Sequence, residues 1–219
     1  MTADPKNDDN KDPRLLDPEY DKHGGFPNFQ AAQPGPGFGR FLAAMRRAQD
    51  LAVSADPDSD TWDKAADHAE ALVKLLGPFE APEGVGPANR VPSLPGSGSL
   101  LMPPYRVTKF EPDGVELTVQ FSRYHVGGNY AVHGGVLPLM FDSMFGMVIH
   151  ASGRPISRTG FLHVDYRKVT PIDTELTMRG WVRHTEGRKA FVNAELYDPD
   201  GDLLAEANGL MIRLLPGQP

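Results

Sequence analysis

Residues 133–142 read HGGVLPLMFD, and two kinds of reactive group stand within them, eight residues apart. Asp142 and Ser143 are the only polar residues of an otherwise apolar run that ends at His150. A carboxylate inside an apolar element costs several kcal/mol unless it is paired or solvated. Asp142 therefore reads as a general base or nucleophile; the competing reading is a structural Asp bonded to a backbone group or to a partner subunit. His133, Gly134 and Gly135 stand where a helix must begin. Two glycines let a ligand approach the backbone, and the unpaired N–H groups of a helix start carry partial positive charge, so the turn can hold a developing oxyanion. Gly-Gly before a helix also serves as plain turn geometry.

The element that positions both groups is a helix over about 134–151. Pro138 fits its first turn, where a missing N–H has no partner to lose, which sets the start near Gly135 or Val136. Val136, Leu137, Leu139, Met140, Phe141, Met144, Phe145, Met147, Val148 and Ile149 occupy every side of the helical circle, so the helix is expected to be buried all round. Eight residues at about 1.5 Å each put Asp142 roughly 12 Å further along the axis than Gly134. One chain does not easily aim both at one bond. Two such helices, antiparallel across a two-fold axis, bring the Asp of one beside the Gly amides of the other, so a homodimer with two composite sites is expected.

Strands surround that helix in sequence. Val115, Leu117, Val119 and Phe121 alternate with polar residues, and Glu111-Pro-Asp-Gly114 turns this strand back onto Tyr105–Phe110. Leu162, Val164 and Tyr166 alternate with His163, Asp165 and Arg167; Leu176, Met178 and Val182 continue the pattern, followed by strands near 189–198 and 202–214 with turns at 185–188 and 198–201. The order gives an α+β class, one antiparallel sheet around one central helix. Upstream, helices are expected from Phe38 to Ser54 and from a Ser59 or Asp60 cap to Gly77-Pro78. The second carries a stripe of Trp62, Ala65, Ala69, Leu72, Val73 and Leu76, read as packing or as a lid on a pocket. Residues 79–98 form a Pro/Gly-rich connector, and residues 1–38 are expected to be a mobile or draped arm. The domain division is thus an arm over 1–38, a helical extension with connector over 39–98, and a sheet domain over 99–219.

Composition narrows the class further. The chain has 219 residues, 40% hydrophobic and 23% charged, with no Cys, so disulfides and thiolate chemistry are excluded and a reducing cytoplasm is expected. Lys plus Arg number 22 against 29 acids, a net charge of -7 that repels a phosphate backbone and argues against nucleic acid. No stretch reaches the roughly 18–20 apolar residues of a membrane span, and the opening MTADPKNDDNKD has no apolar signal-peptide core. The seven His residues show no metal-ligand spacing, and Ser143 lacks a nucleophile elbow.

The run HGGVLPLMFDSMFG followed by the strand FLHVDYRKVTP resembles the hotdog-fold acyl-CoA thioesterases, in the branch that includes the phenylacetate-pathway enzymes; the resemblance covers roughly residues 100–215. It implies hydrolysis of an acyl-CoA thioester without metal or cofactor, in a homodimer or a dimer of dimers. It also implies roles: Asp142 as base or nucleophile, Gly134 and Gly135 as amide donors to the carbonyl, and His133 as a helper there or at the sulfur. Members commonly carry Asn or a similar polar residue six positions before this His, where this chain has Gly127; Asn129 is the nearest substitute, and a left-handed turn residue is its other reading. Thr159 matches the hydroxyl residue that assists the base and contacts substrate. Arg158, Arg167 and Lys168 are candidates for the phosphates of coenzyme A, or ordinary charges on a wet strand face. A hydratase or dehydratase of acyl thioesters and a non-catalytic acyl-CoA sensor are the alternatives on this fold.

Overall fold

Pro36 opens the first helix at a position where its missing N–H costs nothing, and α1 runs Pro36–Ala52 with Leu42 buried. The structure, a computed structural model, describes residues 31–82 and 84–215. Most of the arm expected over 1–38 lies outside the described residues. Helix α2 spans Ser59–Leu76; its cap is Asp58, whose carboxylate accepts from the Thr61 N–H at 2.9 Å, one residue earlier than the expected Ser59 or Asp60. No residue of α2 is buried, and Trp62 and Val73 are exposed. This corrects the packing read from its stripe: the apolar spacing is helical, but no other described element covers it.

Antiparallel strands follow as the period-two pattern dictates. They are β1 (Arg106–Glu111), β2 (Gly114–Gln120), the short hairpin β3 (Val126–Gly128) and β4 (Ala131–Val132), then β5 (Ser157–Tyr166), β6 (Glu175–Glu186), β7 (Lys189–Tyr197) and β8 (Leu203–Arg213). Helix α3, Val136–Ala151, lies between β4 and β5. The six long strands form one sheet in the order β1-β2-β6-β7-β8-β5, so β1 and β5 are its edges. Val115, Leu117 and Val119 of β2 and Met178, Val192 and Leu196 of the middle strands point at α3 and are essentially inaccessible.

Helix α3 presses Leu137, Met140, Phe141, Met144, Phe145, Val148 and Ile149 into the concave side of that sheet, each burial contributing about 2 kcal/mol. Two sheet glycines permit the close crossing. A Cβ on Gly180 of β6 would lie 2.7 Å from Met144 Cγ, and one on Gly209 of β8 would strike the Phe145 ring and sit 2.6 Å from the Phe161 carbonyl. The helix is not buried all round, contrary to the expectation from its composition. One sheet covers one side, so Asp142, Gly146 and His150 form an exposed row at i, i+4 and i+8, flanked by half-buried Val136, Leu139 and Met147. Among the described residues no helix is long and apolar enough to cross a membrane.

Candidate active site

The carboxylate in the apolar helix stands on this open face, so Asp142 is solvated within a single chain rather than embedded in grease. Its Oδ1 accepts a 2.6 Å hydrogen bond from the Thr159 hydroxyl of β5. Thr159 faces the helix side of the sheet because its cross-strand neighbour on β8 is the buried Met211. The residue placed beside Asp142 by the structure is therefore the expected hydroxyl residue, and it reaches the carboxylate directly.

At the other end of the helix, the His133-Gly134-Gly135 turn is fixed from three sides. The His133 N–H donates to the His125 carbonyl at 2.8 Å, the Val132 N–H to the Thr170 carbonyl at 2.9 Å, and the Tyr166 hydroxyl to the Gly134 carbonyl at 2.8 Å. The His133 ring folds over the helix start, its Nδ1 accepting the Gly135 N–H at 3.0 Å. That bond places the neutral ring's proton on Nε2. It also occupies the Gly135 amide, whereas the Gly134 N–H has no hydrogen-bond partner among the described residues. Of the two glycines expected to donate, Gly134 is the one with a free N–H.

Gly127 backs directly on His133: a Cβ there would lie 2.7 Å from His133 Cα, so no side chain fits at this position. Asn129 lies two residues further on, at the tip of the hairpin. Asn129 and Tyr130 are the two central residues of the β3–β4 hairpin, both left-handed at φ 49 and 57, and Asn129 is exposed. Its role here is the turn, which Asn tolerates well; Tyr130 does not. The Arg123 guanidinium lies 5.2 Å from the Tyr130 ring centroid.

Residues 129–205 match the Thioesterase superfamily, a segment running from this hairpin through α3 into β8. Over that segment the chain is similar to the superfamily, and the domain has the hotdog fold. The acyl-coenzyme A thioesterase THEM4 of Rattus norvegicus is 33% identical over 89 residues, which are 40% of this chain and 38% of that protein. Its Mus musculus counterpart is 30% identical over the same shares. The match thus spans well under half the length of these curated relatives. A solved thioesterase superfamily protein has the same fold at a TM-score of 0.71 and 24% identity, over 83% of this chain and 98% of that one. That share exceeds what residues 99–219 supply, so the likeness takes in part of the helical extension.

The basic candidates are scattered. Arg158 neighbours Thr159 in sequence, and strand alternation turns it to the opposite face of the sheet from Asp142. Arg167 is bound to Glu206 at 2.6 Å and Lys168 to Asp202 at 2.6 Å, both in exposed pairs beyond the far end of β5. Carboxylates of this chain already balance those two charges. Among the described residues no group of three or more His, Asp or Glu side chains is gathered as for a metal ion.

Several supporting residues carry no sequence signature. Tyr166 shows in sequence only as one more alternating strand residue. Helix α1 braces both halves of the site: the Arg46 guanidinium donates to the Met102 carbonyl at 2.9 Å and the Ser99 carbonyl at 2.6 Å, and the Met102 sulfur accepts from the Ser143 hydroxyl, next to Asp142, at 3.3 Å. One turn on, Asp50 accepts the Tyr124 N–H at 3.0 Å. The adjoining His125 is buried, its Nδ1 accepting the Ser122 N–H at 3.0 Å. Burial holds the His125 pKa below the ordinary histidine value; Asp50 opposes that shift and Arg46 adds to it.

Proposed function

We propose that this protein hydrolyses acyl-CoA thioesters at two composite sites of a homodimer. The observation that carries the reading is the layout of the edge strand β5. Its Thr159 end holds the Asp142 carboxylate and its Tyr166 end holds the Gly134 turn. An antiparallel pairing of β5 with the β5 of a second copy superimposes the carboxylate end of one protomer on the glycine end of the other. The open row on α3 then becomes the seam. The names of the THEM4 relatives support the thioester substrate, and the absence of Cys suits a reducing cytoplasm.

In this reading the substrate carbonyl oxygen accepts from the Gly134 N–H of one protomer, with the His133 Nε2–H beside it. Oδ1 of Asp142 on the other is occupied by Thr159, so Oδ2 takes a proton from water as the water oxygen bonds to the carbonyl carbon. The C–S bond breaks, and the proton returns to the departing thiolate. Free acid and coenzyme A leave.

Release of thiol from a panel of acyl-CoAs tests the chemistry. Asp142→Asn should lose at least about a hundredfold in rate; an unaltered rate refutes the assignment. Mixed dimers test the seam: co-expressed Asp142→Asn and Gly134→Pro chains, each inactive alone, should regain about a quarter of the wild-type rate through heterodimers with one intact composite site. A mixture that stays inactive refutes the shared site. Water addition to an enoyl thioester with no thiol release replaces the reading by a hydratase.

A further inference from the structure

The open row of α3 leads somewhere. An open cleft of about 840 Å³ begins at Met147 and His150, near the C-terminal end of the helix, and is bordered by the connector after α2 and by β1. Between Asp142 and this cleft stands Gly146, where a Cβ would meet nothing within 4 Å, so the helix surface is notched along the route. From Asp142 to His150 is eight residues, roughly 12 Å along the axis.

The lining has two characters. Leu94, Val107, Phe110 and Met147 are apolar, and Phe110 stands edge-on to the His150 ring at 5.6 Å. The rest is polar, with Asn89, Ser93, Ser97 and Tyr105 uncharged, Arg90, Arg106 and His150 basic, and no carboxylate. In a chain of net charge -7 that is a local reversal. Arg90 is set in place by bonds to the Val85 and Gly86 carbonyls. Arg106, on the edge strand β1, makes no ion pair among the described residues.

We infer that this cleft receives the acyl group of the thioester and selects acyl chains that end in an anionic group such as a carboxylate. The inference rests on the thioesterase reading for the position of the carbonyl at Asp142. An apolar chain lies along the Gly146 notch against Met147 and Val107, and its far end reaches Arg106. The helical extension thereby has a function: the connector it holds through Arg46 supplies one wall of the specificity pocket.

The test uses the full chain and compares octanoyl-CoA with its ω-carboxy counterpart, suberyl-CoA, in thiol release, and the matching non-hydrolysable S-alkyl thioethers of coenzyme A in calorimetric binding. Wild type should favour the ω-carboxy member of each pair by about tenfold or more, as a charge-assisted contact gives. Arg106→Ala should abolish the preference by lowering the suberyl rate more than the octanoyl rate; Arg106→Glu should reverse it. No preference in wild type overturns the inference. So does an equal loss for both ligands in Arg106→Ala, which assigns Arg106 to the phosphates that the pair share. Binding preference without thiol release from any ester keeps the pocket and rejects the hydrolytic reading, so the two fail separately.

Discussion

Removing the Thr159 hydroxyl isolates its contact with the proposed base, Asp142. Thr159→Val keeps the β-branched shape that suits strand β5 and deletes the donor to Asp142 Oδ1 together with a weak 3.5 Å contact to the Met211 sulfur. At 2.6 Å the bond is in the short range of hydroxyl-to-carboxylate bonds, worth about 1.5–3 kcal/mol. Asp142 faces solvent within one chain, so water can replace part of the lost donor and the lower end applies. About 1.4 kcal/mol of lost orientation is tenfold in kcat. The assay is steady-state thiol release, with KM nearly unchanged and Thr159→Ser restoring the rate to within about threefold. A double-mutant cycle separates positioning from substrate contact: if Thr159 acts through the carboxylate, its loss should cost little in an Asp142→Asn background. The same tenfold cost there, or a Thr159→Val rate within about twofold of wild type, refutes the reasoning.

Three further outcomes follow from the residues around the site. Tyr166→Phe, which releases the Gly134 carbonyl, should lower kcat about threefold to tenfold and leave the thermal midpoint within a few degrees of wild type, read by thiol release and calorimetry. Arg46→Ala removes the donor to the Met102 and Ser99 carbonyls and should destabilise the fold by about 2 kcal/mol in urea titration, with Arg46→Lys recovering part of it. His125 gives a pH dependence of known sign: its folded pKa is depressed by burial, so the unfolded chain binds the proton first. Stability is then full above the ordinary histidine value of about 6.5 and falls as the pH drops below it. Thermal midpoints from pH 8 to 5 should fall more steeply for wild type than for His125→Gln; parallel curves refute the assignment.

What could be read from sequence followed from periodicity and local chemistry. The all-apolar run from Val136 and the in-register alternation of β2 locate the helix and sheet to within a residue or two, because each is a consequence of what must face the core. Thr159 was legible as a neighbour of Asp142 only through resemblance, since no spacing rule connects a helix residue to a strand residue 17 positions later. Tyr166 and Arg46 were not legible at all: each acts on a backbone carbonyl distant in sequence, and carbonyls are the same in every residue. The misjudged points share one cause. Hydrophobic composition records that a face must be covered without recording by what, so α3 looked buried on every side and the stripe on α2 looked packed.

That ambiguity bears on the site itself. Helix and strand are tied together twice, at Asp142 with Thr159 and at Gly134 with Tyr166, and the ties lie eight residues apart on α3 and seven apart on β5. These separations are roughly 12 Å along a helix and roughly 23 Å along a strand, so a rigid pair of elements holds the proposed base and the proposed oxyanion donor apart. Loop motion does not close such a gap, because Asp142 sits within α3 and the Gly134 turn is pinned to Tyr166 of β5. The arrangement makes chemical sense only where a two-fold axis near the middle of β5 sets the two ends of different copies face to face. The same axis covers what one chain leaves open: the unpaired edge of β5, the half-exposed Phe161 on it, and the half-buried Val136, Leu139 and Met147 of α3. Burial and catalysis thus ask for the same partner in the same orientation, and the proposed second copy meets both demands because β5 carries both halves of the site.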